Sequence, residues 1–355
     1  MIVNAYAILD AFTCLVRLAL GVMVLGGGLF AWRSWRRGGA AAPAIWSDGN
    51  GQVEERYYLL FLLGTVLMAS NLASWPLFYL LLQSYVPQWP GVMCIHGVTQ
   101  VGDGSIGSSR HLPAIVAWLE ILKPSLAFGT GGWICLHLLN RRTRTGPLTG
   151  AVLLGMALAG ALATVDAGLE TAYLWIPKKE EYLSVGCCSV VAGSASSDSA
   201  FALPSELAGR PRSDWIWWAA LVTHGAVVLG LAVAVNRPAF RQSRVAAYCL
   251  SAAGLAAVVA GGAFLKEIAA PVLLKLPYHH CLYCLFARIP EALAAALLLV
   301  GSSFAVGWAG VTERWRNWPE VRPAALSLRT SLLRAALWGY LASITILAIA
   351  LLLAE

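Results

Sequence analysis

The chain has 355 residues, of which 59% are hydrophobic and 12% charged, with a formal net charge of +7. Soluble domains carry about 25% charged residues, so this composition excludes an ordinary soluble enzyme. The apolar runs are long enough to cross a hydrocarbon core of about 30 Å, and helices with internally satisfied backbones are what spans lipid in such runs.

The predicted architecture is an all-α polytopic membrane bundle, a single integral membrane domain over 1–355. Its eight spans lie near 5–32, 57–83, 113–139, 147–175, 214–235, 245–268, 291–310 and 330–354. The first has no basic leader and contains Asp10, so it reads as a retained helix rather than a cleaved signal. Aromatic anchors mark two levels: Trp32, Trp35, Tyr57 and Tyr58 at one, and Tyr85, Trp89, Tyr173, Trp175, Trp215, Trp217 and Trp218 at the other.

The connections after spans one, three, five and seven, with their flanking helix ends, hold fifteen of the 25 basic residues, from Arg33 to Arg334, against five acids. The remainder of the chain holds ten bases and thirteen acids. This positive-inside pattern places both termini outside, and the expected location is the bacterial inner membrane with three periplasmic loops, 84–112, 176–213 and 269–290. The basic excess therefore describes topology and a lipid bilayer as partner, with no nucleic acid implied.

The outer loops carry the distinctive chemistry. The first holds Cys94 and His96, and the second holds the adjacent pair Cys187-Cys188 followed by a serine-rich stretch. The third reads His279-His280-Cys281-Leu282-Tyr283-Cys284-Leu285-Phe286-Ala287-Arg288-Ile289-Pro290-Glu291. Pro290 disfavours helical geometry at Ile289, so a short separate helix or turn is expected before the seventh span. If helical, it aligns Cys281, Cys284 and Arg288 on one stripe.

Six of the eight cysteines map to the outer loops or the outer part of a span, the side on which a bacterium permits disulfides. Cys281-x-x-Cys284 suits a reactive disulfide, a structural one, or half of a soft-metal site. From Cys281 to Arg288 the chain is similar, over eight residues, to the Cys-x-x-Cys-aliphatic-aromatic-x-Arg segment of the DsbB family of quinone-linked thiol oxidoreductases. The resemblance implies that Cys281 and Cys284 are a quinone-coupled pair and that Arg288 lies near the quinone head; Glu291, beyond the matching segment, is a further candidate for binding the cofactor.

Three readings follow from these residues. In the first, Cys281 and Cys284 act with Cys94, Cys187 or Cys188 in thiol–disulfide exchange with a periplasmic thiol protein. In the second, the protein binds or transports a soft metal, zinc or copper, with His279, His280, Cys281, Cys284 and His96 and the loop cysteines as ligands and a periplasmic metal-carrier protein as partner. In the third, the protein is a non-catalytic subunit of a larger membrane complex and the cysteines staple its loops.

Ionisable residues also occupy the outer parts of the spans: Asp10, Arg17, Glu120, Lys123, Asp166, Glu170, Lys266 and Glu267. By default such groups suggest a polar pathway. The spacing predicts an Arg17–Asp10 pair, snorkelling of Lys123, Lys266 and Glu267, and an outward-open cavity at Arg17, Glu120 and Asp166. Asn71 and the Trp75-Pro76 kink either line it or simply bend the helix. His137 and His224 read as hydrogen-bonded bundle histidines rather than haem ligands.

Overall fold

A computed structural model of the chain describes residues 4–38, 51–89, 92, 94–102, 107–143, 145–176, 214–276 and 279–354. Cys187 and Cys188 lie outside the described residues. Twelve α-helices occur among those described, and no strand: α1 (Ala5–Gly38), α2 (Gly51–Tyr85), α3 (Ile95–Thr99), α4 (Leu112–Arg141), α5 (Thr149–Trp175), α6 (Asp214–Asn236), α7 (Pro238–Gln242), α8 (Arg244–Phe264), α9 (Ala270–Leu273), α10 (Leu282–Arg288), α11 (Pro290–Glu313) and α12 (Arg322–Ala354). Eight helical segments have the length and hydropathy to cross a membrane, which makes this a multi-pass membrane protein.

Several helices outrun the predicted spans. α1 continues past its apolar stretch through Arg33, Arg36 and Arg37, because arginine stems can lie along apolar surface while their heads reach the interface. α12 starts at Arg322, eight residues before the expected boundary. Its first two turns include Arg329, which is buried and paired with Glu313 at 2.8 Å.

The chain divides into two compact units, Met1–Cys187 and Cys188–Glu355. In the first, α5 packs along α1 and α4, and α2 packs on α1 and α4. Glycines set the α1–α5 approach. A Cβ on Gly160 would stand 2.7 Å from the Leu25 backbone nitrogen and 2.9 Å from the Gly21 carbonyl oxygen. Lipid supplies little hydrophobic drive between helices, so close backbone packing of small residues carries much of their association. Around this seam Val24, Leu67, Leu126, Val152, Leu153 and Met156 form a closed apolar core.

In the second unit α11 packs along α12 and α8, while α6 packs on α8 and α12. One core gathers Val227, Leu231, Leu250, Val306, Leu333 and Tyr340. A second gathers Ile216, Phe264, Leu265, Leu273, Leu285 and Ala292. This second core seats the cysteine motif, since Leu285 of α10 is fully buried in it. Side chains such as Phe30, Leu255, Leu297 and Leu353 remain outward-facing and exposed, as lipid-facing positions should.

Candidate functional site

The cysteine motif is built by three local breaks in helical geometry. Between α8 and α9, residues Leu265–Ala269 form a single π-helical turn, a distortion that recurs at functional sites. Lys275 then turns the chain with a positive φ of 54°, in the left-handed region that ends many helices. At Ile289 the backbone is non-helical (φ −121°, ψ 89°), as the following proline requires. α10 is consequently a separate two-turn helix, anchored by Leu285 with Leu282 and Phe286 against the same core.

Cys281 is the residue that precedes α10, and its carbonyl accepts the Leu285 N–H at 3.1 Å. Cys284 lies in the first turn. The two sulfurs lie within 4.8 Å of one another, and both residues are half-buried. Such a pair is close enough to close a disulfide after a small adjustment, or to offer two soft ligands to a metal ion. Arg288, the last residue of α10, follows Cys284 by four residues and is exposed, as is Glu291 in the first turn of α11. The expected stripe thus holds for Cys284 and Arg288, with Cys281 standing at the helix cap.

His280 immediately precedes the pair. Its Nδ1 lies 3.2 Å from Glu267 Oε2 and 3.3 Å from the Lys266 carbonyl. Lys266 Nζ is 3.8 Å from Glu267 Oε1. The π turn places Lys266 and Glu267 beside His280. His279 donates its backbone N–H to the Leu276 carbonyl at 3.0 Å. In the first unit Cys94 is buried at the start of α3, with half-buried His96 in that helix.

A second constellation lies inside the first unit, between α1, α2, α4 and α5. Arg17 donates to Asp166, to Glu170 at 2.7 Å and, through Nε, to Asn71 Oδ1 at 3.1 Å. Lys123 Nζ lies 3.0 Å from Glu170 Oε2, 3.3 Å from Asp166 Oδ2 and 3.5 Å from Ser74 Oγ. It also stands 5.0 Å from the Phe78 ring centroid, within cation–π reach. Arg17, Asp166 and Glu170 are fully buried.

This geometry corrects three expectations. Arg17 pairs with α5 carboxylates rather than with Asp10, because those carboxylates meet its guanidinium fork directly. Lys123 is 3% exposed and ion-paired, so it does not snorkel. The predicted outward-open cavity is a closed ion cluster at Arg17 and Asp166, since the four helices pack around it and leave these residues no solvent access. Asn71 does join the polar set, through its bond to Arg17.

Cys14 of α1 is buried in this cluster. Its sulfur and carboxylate oxygens of Asp10 and Glu170 lie within 4.8 Å of one another, a grouping that can in principle hold a metal ion. The two histidines behave as bundle residues. His224 Nδ1 lies 2.7 Å from the Ala220 carbonyl, as a hydrogen-bonded histidine should, whereas His137 stacks on Trp133 with ring centroids 5.3 Å apart and its buried Nδ1 has no hydrogen-bond partner.

Comparison with known proteins adds no relative: no family model, curated protein or solved structure matches the chain.

Proposed function

We propose that the protein is a thiol–disulfide oxidoreductase of the bacterial inner membrane, working at the periplasmic face, with Cys281–Cys284 as its reacting pair. The observation that carries this reading is the approach of the two sulfurs to within 4.8 Å on a short, half-buried helix anchored by Leu285. In the reaction, a thiolate of a reduced partner attacks the Cys281–Cys284 disulfide and forms a mixed disulfide. The partner's second thiolate then resolves it, leaving the partner oxidised and Cys281 and Cys284 as thiols. Re-forming the Cys281–Cys284 disulfide releases two electrons and two protons, which a quinone held near Arg288 and Glu291 would accept.

Arg288, one turn beyond Cys284, is the group assigned to the quinone head, with Glu291 beside it. His280, oriented by Glu267, is assigned to accept a thiol proton from the adjacent Cys281. Thiol labelling tests the reading. In membranes treated with quinone, Cys281 and Cys284 should resist alkylation until reductant is added, and quinone should restore protection. Cys281→Ser or Cys284→Ser should abolish that cycle and leave the other residue alkylated. Free alkylation of both residues with and without quinone would refute the proposal. Trapping the mixed disulfide would identify the exchanging thiol, whether Cys94, Cys187, Cys188 or one on a periplasmic protein.

The same pair, with His280 next to it, supports a second reading as a zinc or copper(I) binding site. A stoichiometric metal in the purified protein, lost in both serine variants, would favour it over redox cycling.

A further inference from the structure

The charges of the buried cluster do not cancel. Arg17 and Lys123 bring two positive charges, whereas Asp10, Asp166 and Glu170 bring three carboxylates, all five residues being at most 3% exposed. An uncompensated charge sealed in a membrane interior is strongly unfavourable, and such groups neutralise instead.

Hydrogen bonding shows the same deficit. Arg17 and Lys123 direct their donors to Asp166, Glu170, Asn71 and Ser74. None reaches Asp10: both of its carboxylate oxygens lack a hydrogen-bond partner, as do Glu170 Oε1 and Asp166 Oδ1. Yet Asp10 is aimed into the cluster, with its carboxylate within 4.8 Å of that of Glu170 and of the Cys14 sulfur. The cluster has one negative charge too many and lacks a donor between two neighbouring carboxylates.

We propose that a single proton, held between Asp10 and Glu170, completes this site and makes the Met1–Cys187 unit a proton-binding element inside the membrane. One proton removes both deficits. It neutralises the cluster, and as an O–H on one carboxyl it donates to an oxygen of the other, as in paired carboxyls elsewhere. A divalent metal at Asp10, Cys14 and Glu170, with Cys14 bound as thiolate, would also neutralise the cluster, so metal content is the competing outcome that the test below must separate. Arg17 and Lys123 hold Glu170 from one side, so Asp10 is the partner left to take or release the proton. This site stands independently of the thiol reading, because its residues all belong to α1, α2, α4 and α5.

Infrared spectroscopy of the purified full-length protein tests the proposal. At neutral pH the wild-type protein should show a C=O stretch of a protonated carboxylic acid that shifts down in D2O. Asp10→Asn should remove that band, and Glu170→Gln, which breaks the shared arrangement, should shift or remove it. Its absence from the wild-type protein, or its persistence unchanged in both variants, would overturn the proposal. So would a stoichiometric metal ion bound by the wild-type protein and lost in Asp10→Asn and Cys14→Ser. Melting temperature supplies a second readout. A protonated Asp10 is mimicked by asparagine, so Asp10→Asn should melt with the parent while Asp166→Asn melts well below it. Equal losses in the two variants would place an ionised, charge-paired carboxylate at Asp10 and refute the shared proton.

Discussion

Arg17 shows how one side chain can decide whether a polar cluster is tolerable inside a membrane. Its guanidinium contacts Asp166, Glu170 and Asn71 from three different nitrogens, a fork that a lysine ammonium cannot reproduce. Removing it leaves Asp166 and Glu170 facing Lys123 alone. Breaking a buried pair by deleting one partner costs about 3–5 kcal/mol. Arg17→Met should therefore lower unfolding stability in detergent by roughly that amount, with Arg17→Lys recovering only part of it. A loss within experimental error for Arg17→Met would show that the cluster contributes no net stability. The sequence made these charges conspicuous but did not disclose their pairing. Helical spacing put Asp10 and Arg17 on one face of α1, whereas the partners that meet Arg17 lie about 150 residues away on α5. Such long-range choices depend on which faces of two helices meet, and local periodicity does not encode that.

At the level of elements, the α1–α5 seam is held by the absence of side chains. Gly160 faces Leu25 and the Gly21 carbonyl so closely that any Cβ would collide with backbone. Overpacking of this kind typically costs about 1–3 kcal/mol. Gly160→Leu should accordingly destabilise the first unit and loosen the ion cluster. Gly262, whose added Cβ would meet nothing within 4 Å, is the control and should tolerate alanine. Thermal melts of the two variants check the contrast; equal melting temperatures would rule out a tight seam. The helices themselves were legible, since apolar runs, aromatic anchors and Pro290 mark them in the chain. The short helix α10 was also legible as a separate element. The π turn was not read from the chain, although Pro271, two residues beyond it, removes an N–H and crowds the Glu267 carbonyl.

For the molecule as a whole, each unit holds its own buried ion cluster. The Arg17 cluster belongs to Met1–Cys187, while Glu313 in the second unit gathers Arg329 at 2.8 Å, Arg316 at 3.0 Å and Arg244 at 3.7 Å. The two clusters share no partner among the described residues. Changes at independent sites add to within about 0.3–0.5 kcal/mol. The double variant Arg17→Met/Glu313→Gln should lose the sum of the two single losses within that margin. A larger discrepancy in denaturant unfolding would reveal coupling. Membrane character was evident from composition alone, whereas the division into two units was not, because both halves have the same apolar texture.

The π turn between α8 and α9 has a geometric consequence. One added residue advances a regular α-helix by about 100° about its axis, whereas the i→i+5 turn at Leu265–Ala269 takes up an extra residue within a single turn, so the helix that follows keeps its bearing on the stretch before it. Excising one residue there would leave a span long enough to cross the bilayer. The widened turn that sets Glu267 against His280 would close up, however, so the loss would fall on that contact rather than on the direction of the helix.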